Sequence, residues 1–194
     1  DEENVATIKA VVEAVGDRVP VTAGVGTNDT AHSVAAAKAL VGAGADNVLV
    51  VTPYYNKPPQ DGIVEHVRAI AQAADVPVML YDIPGRSAIP MESATIAKMA
   101  QIPQVRAMKD AKADLYASSK LIAETDLLWF SGDDVLAFLP RVDGVLLVAG
   151  GGITSAEDVR SFNVPFFHVP STPGPDKSAS EAEILKLLVG NVDF

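Results

Sequence analysis

The feature that most constrains this chain is a series of short apolar runs that do not alternate. Residues 19–25, 47–51, 76–81, 105–109, 127–131, 144–149 and 164–169 are rich in Val, Leu, Ile and aromatic side chains. Near-continuous hydrophobicity is the pattern of strands covered on both faces of a parallel sheet, whereas a half-solvated antiparallel strand alternates. Helical patterns lie between the runs. Residues 30–41 form the clearest, with Asp29 or Thr30 placed to cap its start and Gly42 or Gly44 to stop it. Residues 2–15, 62–74 and 91–99 read as further helices, and 178–189 as a last amphipathic one. Strand, loop, helix and loop recurring at roughly 25–30 residues is the βαβ signature, whose right-handed crossovers bring every strand C-terminus to one edge of the sheet. The expected fold is therefore α/β, a parallel (β/α) repeat with about seven strands. A complete eight-unit TIM barrel takes about 250 residues; the chain has 194, so a barrel of this ancestry is truncated or rebuilt.

Composition removes several function classes. There is no cysteine, which excludes disulfides, thiolate catalysis and zinc–thiolate sites. A net charge of −10 repels phosphate backbones, so nucleic acid and anionic membrane surfaces are not expected partners. No apolar run approaches the ~20 residues of a membrane span, and Asp1-Glu2-Glu3-Asn4 is the reverse of a basic signal-peptide start. A cytoplasmic location is expected. His168 has no second His or Cys nearby, so neither a metal site nor another cofactor is expected.

Four strand ends carry residue types that could do chemistry. Lys109 closes 105–109 and, with a period of two, shares a face with Val105 and Ala107. An amine on such an apolar face is desolvated, which lowers its pKa and makes it a nucleophile toward carbonyls; the bland alternative is a lysine that snorkels to solvent. Tyr81 closes 76–81 one βα unit earlier. On a neighbouring strand its phenol would emerge beside Lys109, placed to relay a proton to or from a carbinolamine. Taken alone, it reads as a half-buried aromatic with a wet hydroxyl. Asp82-Ile83-Pro84-Gly85-Arg86 is a tight loop that offers Arg86 over the same edge, where a guanidinium could bind a carboxylate bidentately. Thr52-Pro53-Tyr54-Tyr55-Asn56-Lys57-Pro58-Pro59 follows the preceding strand, with paired tyrosines too amphipathic for an ordinary spacer.

In this order and spacing, Val51-Thr52-Pro53-Tyr54-Tyr55-Asn56-Lys57-Pro58, Leu80-Tyr81-Asp82-Ile83-Pro84-Gly85-Arg86, Met108-Lys109-Asp110-Ala111 and Ser131-Gly132-Asp133-Asp134 resemble the dihydrodipicolinate synthase family. That family belongs to the Schiff-base aldolase and lyase superfamily that includes N-acetylneuraminate lyase. The resemblance runs from residue 1 to about 140 and implies a fragment of a (β/α)₈ barrel, from its second helix through its seventh strand. It implies that Lys109 forms an imine with pyruvate, that Tyr81 shuttles protons, and that Arg86 receives the second substrate's carboxylate at the mouth. It further implies that Tyr55 reaches across a subunit interface to complete the proton relay, hence a homo-oligomer, and that Gly132 and Gly24-Val25-Gly26 line the pocket. The Thr-Thr-Gly loop that holds the pyruvate carboxylate in the family has no counterpart in the sequence, so weak or lost turnover is expected.

The texture changes near residue 140. One α/β domain over 1–194 is expected, composed of an aldolase-barrel-like part, 1–140, and a βαβα segment of different ancestry, 141–194. An alternative follows from that junction: an engineered chimera that folds as a catalytically silent scaffold. Gly150-Gly151-Gly152-Ile153-Thr154 follows an apolar run and precedes a helical pattern. Backbone amides there could hold phosphate or another small anion through Gly151, Gly152 and Thr154, although such a loop more often only turns the chain.

Overall fold

The computed structural model describes residues 1–132, so the expected elements at 144–149, 164–169 and 178–189 lie outside the described residues. Within them, five strands alternate with helices: α1 (Glu2–Val15), β1 (Thr22–Gly24), α2 (Thr30–Gly42), β2 (Asn47–Val51), α3 (Gln60–Ala74), β3 (Val78–Asp82), the single turn α4 (Pro84–Ser87), α5 (Ser93–Met99), β4 (Val105–Asp110), α6 (Leu115–Glu124) and β5 (Leu128–Ser131). The strands pair in chain order, β1-β2-β3-β4-β5, and every pair is parallel. Strand order that never doubles back is an arc of a barrel; a doubly wound sheet would reverse at a switch point.

Local chemistry accounts for the boundaries. Asp29 caps α2 by accepting a hydrogen bond from the His32 N–H, and Gly44 takes the positive φ just beyond its end. The helix expected from Gly62 starts at Gln60, because Pro58-Pro59 already holds the extended entry and Pro59 is the N-cap. The helix expected from Met91 starts at Ser93, since the Met91 N–H is drawn to the Asp82 carboxylate. Of residues 82–86, expected as a tight loop, Asp82 ends β3 and 84–86 wind into α4, with Pro84 in its first turn. Helix α6 was not evident from apolar periodicity; its signal is Asp114, whose carboxylate accepts from the Ala117 N–H.

Burial departs from the continuous pattern of the strands. In β2 and β3 it alternates, with Val48, Val50, Val78 and Leu80 buried and their neighbours half-buried. Helices cover one face, where Val48, Val50, Leu80 and Met108 join Leu40 of α2, Ile63, Val67 and Ile70 of α3 and Ile96 of α5 in one core. The other face carries Leu49, Met79 and Tyr81, with intermediate exposure. Among the described strands, only β4 is buried on both faces, over Ala107–Asp110.

Candidate active site

Tyr81 and Lys109 are register partners on β3 and β4, one position before the strand ends. A parallel ladder holds register partners on the same face, so both side chains emerge on the face away from the helices. The Lys109 Nζ stands 3.9 Å from the centroid of the Tyr81 ring, within cation–π range. Lys109 is only 4% exposed. Burial pushes its ammonium down to about 8, which leaves a substantial fraction of free amine near neutral pH.

Glycine makes room for the lysine stem. A Cβ on Gly132 would lie 3.0 Å from the Ala111 Cβ, 3.2 Å from the Asp110 carbonyl oxygen and 3.3 Å from the Lys109 Cε. The Gly132 N–H donates to the Asp110 carbonyl at 2.7 Å, which continues the β4–β5 ladder past the end of β5. Gly26 serves a backbone need: a Cβ there would meet the Val51 nitrogen at 2.5 Å. On the other side, the Thr52 N–H donates to the Tyr81 carbonyl at 3.2 Å, which anchors the end of β3 to β2.

Arg86 lies exposed on α4, directly after β3. Tyr55 is 86% exposed at a positive φ of 73° in the loop between β2 and α3. The Asn56 amide of that loop donates to the Asn28 carbonyl. Thus Lys109, Tyr81 and Gly132 come together, while Arg86 and Tyr55 stand on neighbouring rim segments. Gly151, Gly152 and Thr154 lie outside the described residues.

Sequence reading missed what stands behind the pair. Asp82 and Asp110, each the residue after Tyr81 or Lys109, are also register partners, and the pleat turns them to the helix-covered face. Both are buried. The available signal was an aspartate following each strand-end residue that carries chemistry. Among the described residues no group of three or more His, Asp or Glu could hold a metal ion, and no helix is long and apolar enough to cross a membrane.

An all-parallel, sequentially ordered sheet with a buried lysine at its carboxyl rim defines the chain as part of a (β/α)-barrel protein. The profile of the Dihydrodipicolinate synthetase family matches residues 1–174, and the chain belongs to that family. The match extends past residue 140, the expected end of the resemblance. Over 136 residues the chain is 56% identical to 4-hydroxy-tetrahydrodipicolinate synthase of Mycolicibacterium paratuberculosis and 55% identical to 4-hydroxy-tetrahydrodipicolinate synthase 2 of Streptomyces coelicolor. Those alignments take in 70% of this chain but 45% and 46% of the relatives, so the chain spans about half their length. Dihydrodipicolinate synthase from Bacillus anthracis superposes with a TM-score of 0.71 at 40% identity, covering 74% of this chain and 51% of that one. The chloride-inhibited enzyme from Acinetobacter baumannii, complexed with pyruvate, gives 0.66 at 38% identity over 69% of this chain and 46% of that one.

Proposed function

We propose that the chain carries the imine-forming centre of a pyruvate-dependent Schiff-base lyase or synthase. The observation that carries this reading is a buried amine at the carboxyl rim of β4, held over the ring of Tyr81. The free Lys109 amine adds to the keto carbon of pyruvate, and the carbinolamine loses water to give the imine. Loss of a methyl proton then yields an enamine that attacks an aldehyde. Tyr81 moves the proton at the carbinolamine and enamine steps. Arg86 meets the carboxylate of the second substrate, Gly132 leaves space for the Lys109 stem, and Tyr55 extends the relay in a neighbouring copy of a homo-oligomer.

The imine step asks less of the site than turnover does. Imine formation asks for a desolvated amine, whereas aldol addition also needs the substrate carboxylate clamped and the proton relay complete.

The test is reduction with borohydride in the presence of pyruvate, followed by intact mass and peptide mapping. One reduced pyruvate adduct on Lys109, absent from Lys109→Ala, is expected. No adduct, or one that survives Lys109→Ala, rejects the reading in favour of a silent scaffold.

A further inference from the structure

We propose that Asp82 is a positioning residue for the Lys109–Tyr81 pair: through Lys112 and Asp110 it ties the ends of β3 and β4 together behind the sheet, and so sets where the amine stands over the ring in front. The proposal rests on the reading of that pair as the imine-forming centre.

The tie is continuous. Asp82 Oδ1 accepts from the Met91 N–H at 3.2 Å. Asp82 Oδ2 faces the Lys112 Nζ at 3.6 Å, an ion-pair contact longer than a hydrogen bond, and has no hydrogen-bond partner. The same Nζ donates to the Met91 carbonyl at 3.1 Å. The Lys112 N–H donates to Asp110 Oδ1 at 2.8 Å, and the Ser118 hydroxyl of α6 donates to Asp110 Oδ2. Finally, the Ala111 N–H donates to the Asp82 carbonyl at 2.9 Å.

Two buried carboxylates thus meet on one residue: Asp82 faces the Lys112 ammonium, and Asp110 holds the Lys112 backbone N–H. A fully buried carboxylate with one oxygen unsatisfied costs stability that an apolar residue would not, so its value lies in the register it imposes. Asp82 shares a peptide bond with Tyr81, and Asp110 shares one with Lys109. Any slide of β3 against β4 that changes the Asp82–Asp110 spacing moves phenol and amine by a comparable distance.

The charged groups acting on Asp82 are Lys112, which favours its ionised form, and Asp110, which opposes it; the segment before α5 offers the uncharged Met91 N–H. Burial outweighs both favourable contacts and pushes Asp82 up to about 6. Protonation there releases the ion pair to Lys112 and loosens the tie, which makes the coupling readable at Lys109.

The experiment is a pH titration of the Lys109 CεH₂ signals in the 194-residue chain with isotopically labelled lysine, assigned with Lys109→Arg. Protons beside an aromatic ring take a ring-current shift that changes with their height above it. The wild type is expected to show two transitions, its own near 8 and a second near 6; Asp82→Asn abolishes the second. Lys112→Met, which removes the cation and keeps the carboxylate, moves the second transition to higher pH. A single transition in the wild type overturns the proposal, whatever the variants do. So does a second transition unchanged in Asp82→Asn or in Lys112→Met. No readout uses pyruvate: failure to trap an adduct counts against the imine reading, whereas loss of the coupled transition counts against this proposal alone.

Discussion

The Lys109 ammonium sits 3.9 Å above the ring of Tyr81, its register partner on the adjacent strand. The contact separates two contributions of the tyrosine: an aromatic face that steadies the lysine, and a hydroxyl that can carry a proton. Tyr81→Phe keeps the face and removes the hydroxyl. Because the hydroxyl serves the carbinolamine step as well as the enamine step, borohydride trapping of pyruvate and exchange of its methyl protons into deuterated water should both fall by about 10²-fold or more. Tyr81→Ala should impair both. Proton NMR of pyruvate follows the exchange; trapping and exchange at wild-type rates in Tyr81→Phe would count against a proton role for the hydroxyl.

The rate of trapping should climb with pH about tenfold per unit and level off near 8, because only the free amine attacks and burial holds Lys109 at about 8. A solvent-exposed lysine would go on gaining to about 10.5. Between those limits the folded chain holds fewer protons at Lys109 than the unfolded chain. This group therefore makes stability rise with pH from about 8 toward 10.5, and below 8 it imposes its full cost. A stopped-time trapping series across pH 6–10 checks the kinetic half.

Gly132→Ala would put a methyl group 3.3 Å from the Lys109 Cε and 3.0 Å from the Ala111 Cβ. Overpacking of this kind costs about 1–3 kcal/mol. Displacing the stem of the reacting amine should slow trapping on the order of tenfold or more. The comparison variant is Gly42→Ala, where nothing lies within 4 Å of the added carbon; it should trap pyruvate at the wild-type rate. Denaturant midpoints and trapping rates measured on both variants separate crowding at the site from a general glycine effect.

Asp82→Asn should stabilise the fold at pH 7–8 by roughly 1–3 kcal/mol, the scale set by a carboxyl raised from 3.8 to about 6. A raised carboxylate pKa means that the folded chain binds more protons than the unfolded one between these values. Stability from this group is therefore full below about 4 and lost as pH climbs through 6. At pH 4 wild type and variant should melt alike. Thermal denaturation at both pH values is the check, and a variant less stable at pH 8 would mean that Lys112 more than compensates the buried charge.

The α/β class, the parallel arrangement and the five strand positions within residues 1–132 were legible because short apolar runs between capped helices admit few other folds. Lys109 and Tyr81 were legible for the same reason: position at a strand end is a one-dimensional property. Helix α6 was not, since its evidence is the local Asp114 cap rather than a periodic apolar face. The partial exposure of β2 and β3 on one face was not either. Val and Leu runs read alike whether one side is covered by helices or both sides are sealed.

By itself the sequence determined which residues reach the carboxyl rim, through the two-residue pleat of each strand and the hand of the crossovers. Only the tertiary structure decided that Tyr81 pairs with Lys109, that the Gly132 backbone closes against the lysine stem, and that Asp82 and Asp110 share Lys112 behind them. Register and burial depend on groups distant along the chain, and a buried carboxylate takes its pKa from solvent exclusion and neighbouring charges that exist only once the strands are side by side.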